Sequence, residues 1–188
     1  MKRYLLDTNA FFEMLSNIAG KNVREDEYDF ANIRKGECYI SKITELEIIS
    51  VIGKYGRGEP SQWQKCGRQI SKEGIKCEQK YYYKGIKPWS KKLCTAVNKL
   101  VKEMINGTSP IIKIHVLEVS GDVIDRAKGF MMHASKHKFG SQDALIAATA
   151  IIYSTKDSPM FVVTSDKALR HAMREEGMEF IVPGKSYT

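Results

Sequence analysis

Four acids in this 188-residue sequence have the types and placement that chemistry needs: Asp7, Asp143, Asp166, and either Glu45 or Glu47. Asp7 ends the apolar run Tyr4-Leu5-Leu6, and Asp166 closes Val162-Val163-Thr164-Ser165. Asp143 opens the helical run Ala144 to Ile152, and Glu45 and Glu47 both ride on the apolar segment around Ile43, Ile48 and Ile52. In open α/β sheets the carboxyl ends of the strands form the edge where ligands bind. Carboxylates gathered there raise one another's pKa and repel unless a divalent cation neutralises them. An oxygen-only set with no matching Cys or His suits a hard ion, Mg²⁺ or Mn²⁺. That apparatus serves phosphodiester hydrolysis, in which metal activates water and offsets charge on phosphorus. A purely structural reading competes with it, because N-capping alone accounts for three of the acids.

The elements that must position these acids follow from periodicity. Short apolar runs at 4–6, 38–40, 111–117, 160–163 and 180–182 read as strands. Helical patterns begin near Ala10, after Ser41, at Ser90, near Gly121, at Ser141 and at Lys167, and the polar segment 17–35 is weakly helical. About five strands alternating with helices predict a three-layer α/β/α domain with a mainly parallel sheet and right-handed crossovers. The helix after Ser41 is apolar on nearly every side and is expected to be buried. Glu45 shares a face with Ile49 and Ile52, and Glu47 shares one with Ile43 and Val51, so spacing does not choose between them. The helix from Gly121 is expected to present Val123, Ala127, Phe130, Met131 and Ala134 on one face.

Charge is unevenly placed. The chain carries a net +8 with 43% hydrophobic residues, as a globular protein does. Between Lys54 and Lys92 there are eleven Lys and Arg against three Glu, an excess equal to the whole net charge. Residues 56–90 therefore read as a basic insertion within a single domain spanning 1–188. Six aromatics accompany it, from Tyr55 and Trp63 to Trp89, and such a mixture suits RNA, with Lys80, Lys84 and Lys87 on phosphates and Tyr82 stacked on a base. The alternatives are a solvated hairpin pinned to the core by its tryptophans, or a patch for a protein partner. Four single cysteines without a C-x-x-C pair, and no apolar stretch fit for export or for spanning a membrane, predict free thiols in the cytoplasm. Cys66 and Cys77 fit no standard zinc spacing, and His133 and His137, four apart, lack a third ligand, so a solvated helix end is expected there. A phosphatase with an aspartyl nucleophile would want a second Asp where Asn9 stands.

The sequence resembles the PIN-domain family, and most closely its small VapC-like ribonuclease toxins. The matching pieces are Tyr4-Leu5-Leu6-Asp7-Thr8-Asn9, Ile40-Ser41-Lys42-Ile43-Thr44-Glu45-Leu46-Glu47, Asp143 to Ala150, and Val163-Thr164-Ser165-Asp166. The resemblance selects Glu47 over Glu45, six residues after the serine that opens the helix. It implies Asp7, Glu47, Asp143 and Asp166 as metal ligands and catalytic acids for Mg²⁺ or Mn²⁺, with Asn9 and Thr164 steadying the carboxylates or a bound water. It implies a metal-dependent endoribonuclease acting on RNA, the toxin of a toxin–antitoxin pair; an antitoxin protein and a second copy of the chain are compatible partners. A non-catalytic RNA- or protein-binding PIN module is the alternative. Residues 56–90 depart from the family pattern, in which the Glu-bearing helix passes directly into the next helices.

Overall fold

The computed structural model describes residues 1–18, 30–68 and 74–183. Most of the polar segment expected to be weakly helical, 19–29, lies outside the described residues, as do 69–73 of the insertion. In chain order the elements open with β1 (Arg3–Leu6), α1 (Thr8–Ile18), α2 (Phe30–Lys35), β2 (Glu37–Ser41) and α3 (Lys42–Arg57). The antiparallel strands β3 (Gln62–Lys65) and β4 (Lys80–Tyr83) follow, then α4 (Lys91–Ile105) and β5 (Ile114–Leu117). The chain ends with α5 (Gly121–Met131), α6 (Ala134–His137), α7 (Ser141–Tyr153), β6 (Met160–Val163), α8 (Lys167–Glu175) and β7 (Phe180–Ile181). It divides into two compact units, one of residues 1–48 and 100–188, the other of residues 49–99.

In the first unit five strands form one sheet in the order β5-β2-β1-β6-β7, every pair parallel. The expected mainly parallel α/β sheet is what forms. A parallel sheet is covered on both faces, so its strands read as continuous apolar runs. Accordingly Leu5 and Leu6 in β1 and Val162 and Val163 in β6 are fully buried. Helix α7 is rich in alanine, which lets it pack closely on α5 and β6; Ala144, Ala147 and Ala148 are all buried. Gly36 turns the chain into β2, and a Cβ there would lie 2.6 Å from the Lys2 carbonyl oxygen and from the Tyr4 ring.

Four expectations need correction. The β-branched run 111–117 is strand only from Ile114, because its partner β2 supplies the register Cys38↔Ile114 to Ser41↔Leu117 and no more. Helix α3 is not buried all round: Leu46 and Ile49 are 60% and 55% exposed. Met131 ends α5 exposed, while Val123, Ala127 and Phe130 form the buried face. The two histidines on α6 and just before it do not make a solvated helix end. His133 Nδ1 lies 3.1 Å from Glu175 and its Nε2 2.8 Å from Glu176, and His137 Nε2 lies 3.0 Å from Glu175. Arg126 adds a 2.5 Å ion pair to Glu176, and Lys136 pairs with Glu175. These bonds fasten the end of α8 to the α5–α6 corner.

In the second unit β3 and β4 pair as Gln62↔Tyr83, Trp63↔Tyr82, Gln64↔Tyr81 and Lys65↔Lys80. The base of this hairpin is fixed by Glu59, which takes an ion pair from Lys54 at 3.0 Å and a hydrogen bond from the Tyr83 hydroxyl. Glu59 N–H donates to the Ile86 carbonyl at 2.8 Å, and Gly85 N–H donates to Ser61 Oγ at 2.9 Å. Gly85 is required there, since a Cβ would meet the Glu59 carbonyl oxygen at 2.0 Å. Trp89 stacks on Tyr55 with ring centres 4.8 Å apart, whereas Trp63 is 68% exposed. A hairpin forms, and Trp63 does not pin it to the core.

Candidate active site

Asp7 leaves the end of β1, the central strand, and Thr164 leaves the end of β6 beside it. The pairing Leu6↔Val163 puts the two residues on the next rung, and the Asp7 N–H still donates to the Val163 carbonyl at 3.1 Å. Asp7 is 5% exposed, and its Oδ1 accepts the Ala10 N–H at 2.6 Å, which caps α1. Burial is the main force pushing its carboxyl up, to about 6; Asp143 and Asp166 push the same way, against the Thr164 hydroxyl and the Ala10 N–H. The Thr164 hydroxyl also accepts the Asp166 N–H at 3.0 Å, so one buried side chain ties Asp7 to the turn that carries Asp166.

Asp166 caps α8, its Oδ1 accepting the Leu169 N–H at 2.7 Å. Asp143, in the first turn of α7, accepts the Gly140 N–H on Oδ2 at 3.1 Å. Its carboxyl is raised by burial first and by Asp166, and lowered by the Gly140 N–H. Each of the three acids is thus a helix cap; the charge of Asp166 also acts on Asp7 and Asp143, and that of Asp143 on Asp7. Capping and clustering coincide here: the partial positive charge of three helix starts makes a group of carboxylates tolerable.

The two glutamates of α3 separate cleanly. Glu45 pairs with Lys42 at 2.8 Å, one turn back on the same helix. Glu47 instead accepts a hydrogen bond from the Thr8 hydroxyl, the residue next to Asp7. Thr8 is the contact that sequence reasoning missed; its signal was its place beside Asp7 in Asp7-Thr8-Asn9. Asn9 is exposed in the first turn of α1. Lys80, Tyr82, Lys84 and Lys87 are exposed and belong to the second unit.

The acids suit a hard divalent cation in kind, being oxygen donors whose mutual repulsion such an ion would offset. As they stand, no group of three or more His, Cys, Asp or Glu among the described residues is arranged to hold a metal ion. No helix among the described residues is long and apolar enough to cross a membrane.

No protein-family model matches the sequence, and no curated protein matches it. Solved structures do match. FitAcB from Neisseria gonorrhoeae superposes with a TM-score of 0.55 at 17% identity, covering 95% of this chain and 96% of that one. VapBC2 from Rickettsia felis, bound to a DNA fragment from their promoter, gives 0.51 at 14% identity over 96% and 98%. DNA-bound VapBC from Salmonella typhimurium gives 0.50 at 18% over 97% and 98%. The fold is PIN-like. At these identities the likeness is one of fold; the parallel pairing of β1 and β6 itself puts the turns that carry Asp7 and Asp166 at one end of the sheet.

Proposed function

We propose that the chain is a metal-dependent endoribonuclease that hydrolyses RNA phosphodiester bonds in the cytoplasm, as the toxin of a toxin–antitoxin pair. The observation that carries this reading is that Asp7 and Asp166, which follow the adjacent strands β1 and β6, are joined through Thr164, while the charge of Asp143 from the start of α7 also acts on Asp7. Asp7, Asp143, Asp166 and Glu47 would hold Mg²⁺ or Mn²⁺, which when bound activates water for attack and offsets charge on the scissile phosphate. Thr164 bonds both the Asp7 carboxylate and the Asp166 N–H, and Thr8, the residue after Asp7, holds Glu47 by its hydroxyl. The three helix-start N–H groups each occupy one carboxylate oxygen, which fixes the side chains before a cation arrives. The toxin role is supported by the resemblance to VapC-like toxins and by fold neighbours described as VapBC and FitAcB. An antitoxin encoded beside the gene, itself able to bind DNA, is the partner this reading requires.

The purified protein should cleave RNA with Mg²⁺ or Mn²⁺ and stop on chelation. Asp143→Asn keeps the shape and one oxygen acceptor but removes a charged ligand, so cleavage should fall by about a hundredfold. Full activity in that variant would remove the catalytic reading and leave a non-catalytic RNA- or protein-binding module. A neighbouring reading frame with no small DNA-binding protein would count against the toxin role alone.

A further inference from the structure

We propose that the outer face of the β3–β4 hairpin is a stacking platform for unpaired bases of single-stranded RNA. The choice of RNA rests on the ribonuclease reading; the platform itself rests on the hairpin. In an antiparallel pair, residues directly opposite share a face, and so do positions two along the strand. Trp63 opposite Tyr82 and Lys65 opposite Lys80 therefore occupy one face together. The other face carries Tyr81, whose hydroxyl donates to Gln64 at 2.8 Å, and Tyr83, which is bound to Glu59. The two faces thus have different jobs: one is hydrogen-bonded within the unit, the other is open.

The open face is unusual for a solvated hairpin. Trp63 and Tyr82 are 68% and 57% exposed, in edge contact with ring centres 5.5 Å apart. Two lysines directly opposite each other destabilise a strand pair unless an anion lies between them. The unit as a whole, residues 49–99, holds twelve Lys and Arg against three Glu. A polyanion that also offers flat apolar surfaces answers all three features, and single-stranded nucleic acid is that polymer. A duplex offers the charge but hides its base faces. The Glu59, Gly85 and Tyr83 contacts hold the hairpin base in place, so little ordering is left for binding.

The test is fluorescence anisotropy with the full-length protein in EDTA, so that RNA is bound without being cut. The probes are a labelled 12-nucleotide oligouridine, an RNA duplex of equal length and oligothymidine, each at two salt concentrations. Oligouridine should bind more tightly than the duplex and at least as tightly as oligothymidine. Trp63→Ala and Tyr82→Ala should each weaken oligouridine by about tenfold with an unchanged salt slope. The pair Lys65→Ala and Lys80→Ala should flatten that slope by about 1.4, two phosphate contacts' worth on a single strand. Trp63→Phe and Tyr82→Phe keep a ring and should bind nearly as the wild type does, which guards against an alanine variant that fails to fold. Unchanged affinity in both alanine variants overturns the platform, as does equal binding of the duplex; oligothymidine bound tenfold more tightly overturns RNA as the occupant. Unaltered RNA binding together with loss of a protein complex would point to a protein surface instead. Absence of cleavage in Mg²⁺, with binding intact, would sink the ribonuclease reading and leave the platform standing.

Discussion

Burial and two neighbouring carboxylates hold the Asp7 carboxyl up at about 6, so at neutral pH it carries a charge that the folded chain disfavours. Its folded pKa lies above the unfolded one. Its contribution to stability is therefore complete below the ordinary carboxylate range and is lost as pH rises through about 6. From 3.8 to about 6 the penalty at full ionisation is about 3 kcal/mol. Asp7→Asn should thus raise the melting temperature by several degrees at pH 8 in chelator, and the gain should vanish in acid. Saturating Mn²⁺ should reverse the ranking, stabilising the wild type and not the variant. Thermal melts at two pH values with and without Mn²⁺ check both statements. In the sequence, Asp7 and Asp166 were visible as residues ending strands, but helix caps and metal ligands draw on the same side chains. That Thr164 joins the two turns and that Asp166 lies near enough to act on Asp7 are features of the folded chain, and no spacing in one dimension encodes them.

Helix α3 shows what an element adds to its residues. Its apolar composition suggested burial on all sides, yet Leu46 and Ile49 face solvent and the helix covers the core with Thr44, Ile48 and Ile52. Periodicity left Glu45 and Glu47 equal because both lie on apolar faces. The structure assigns them different partners, Lys42 and Thr8. Thr8→Val removes the hydroxyl that holds Glu47 while keeping shape and volume. Cleavage should fall by about tenfold, as for a residue that orients a ligand, and Thr8→Ser should restore most of it. An equal loss in Thr8→Ser would show that the methyl group, not the hydroxyl, matters. The strand limits were legible only in part, since β5 begins at Ile114, where its pairing with β2 begins, and that length belongs to the pair.

Across the whole molecule, the two units differ in charge as well as in fold. Residues 49–99 hold twelve of the chain's thirty Lys and Arg and only three of its twenty-two Asp and Glu. The composition revealed that asymmetry at once. It offered a hairpin only as an alternative, because no Asn-Gly turn lies between β3 and β4 and the three consecutive tyrosines of β4 show no alternation. Opposed titrations set the pH response of the first unit. Hydrogen bonds and charge from Lys136 and His137 lower Glu175 to about 2, and His133 and Arg126 lower Glu176. These groups stabilise the fold above the ordinary glutamate range, and that contribution is lost as pH falls toward 2. Asp7 does the reverse above about 6. In chelator the melting temperature should therefore peak in weak acid, and Mn²⁺ should move the peak toward neutral pH. Differential scanning fluorimetry across pH 3 to 8, in about one-unit steps, tests it; a flat profile would contradict the linkage.

The strand order has a consequence in time. β1 is made first, yet the neighbour that completes its polar end, β6, is made after residue 159. At synthesis rates of about 5 to 20 residues per second, roughly ten to thirty seconds separate Asp7 from Asp166. Throughout that interval Asp7 has neither Thr164 to hold it nor Asp166 to share its field. A growing chain that emerges among ribosomal RNA therefore carries an unfinished acid cluster until nearly all of this sequence has been translated. The topology itself keeps the cluster from being complete before the chain is nearly made.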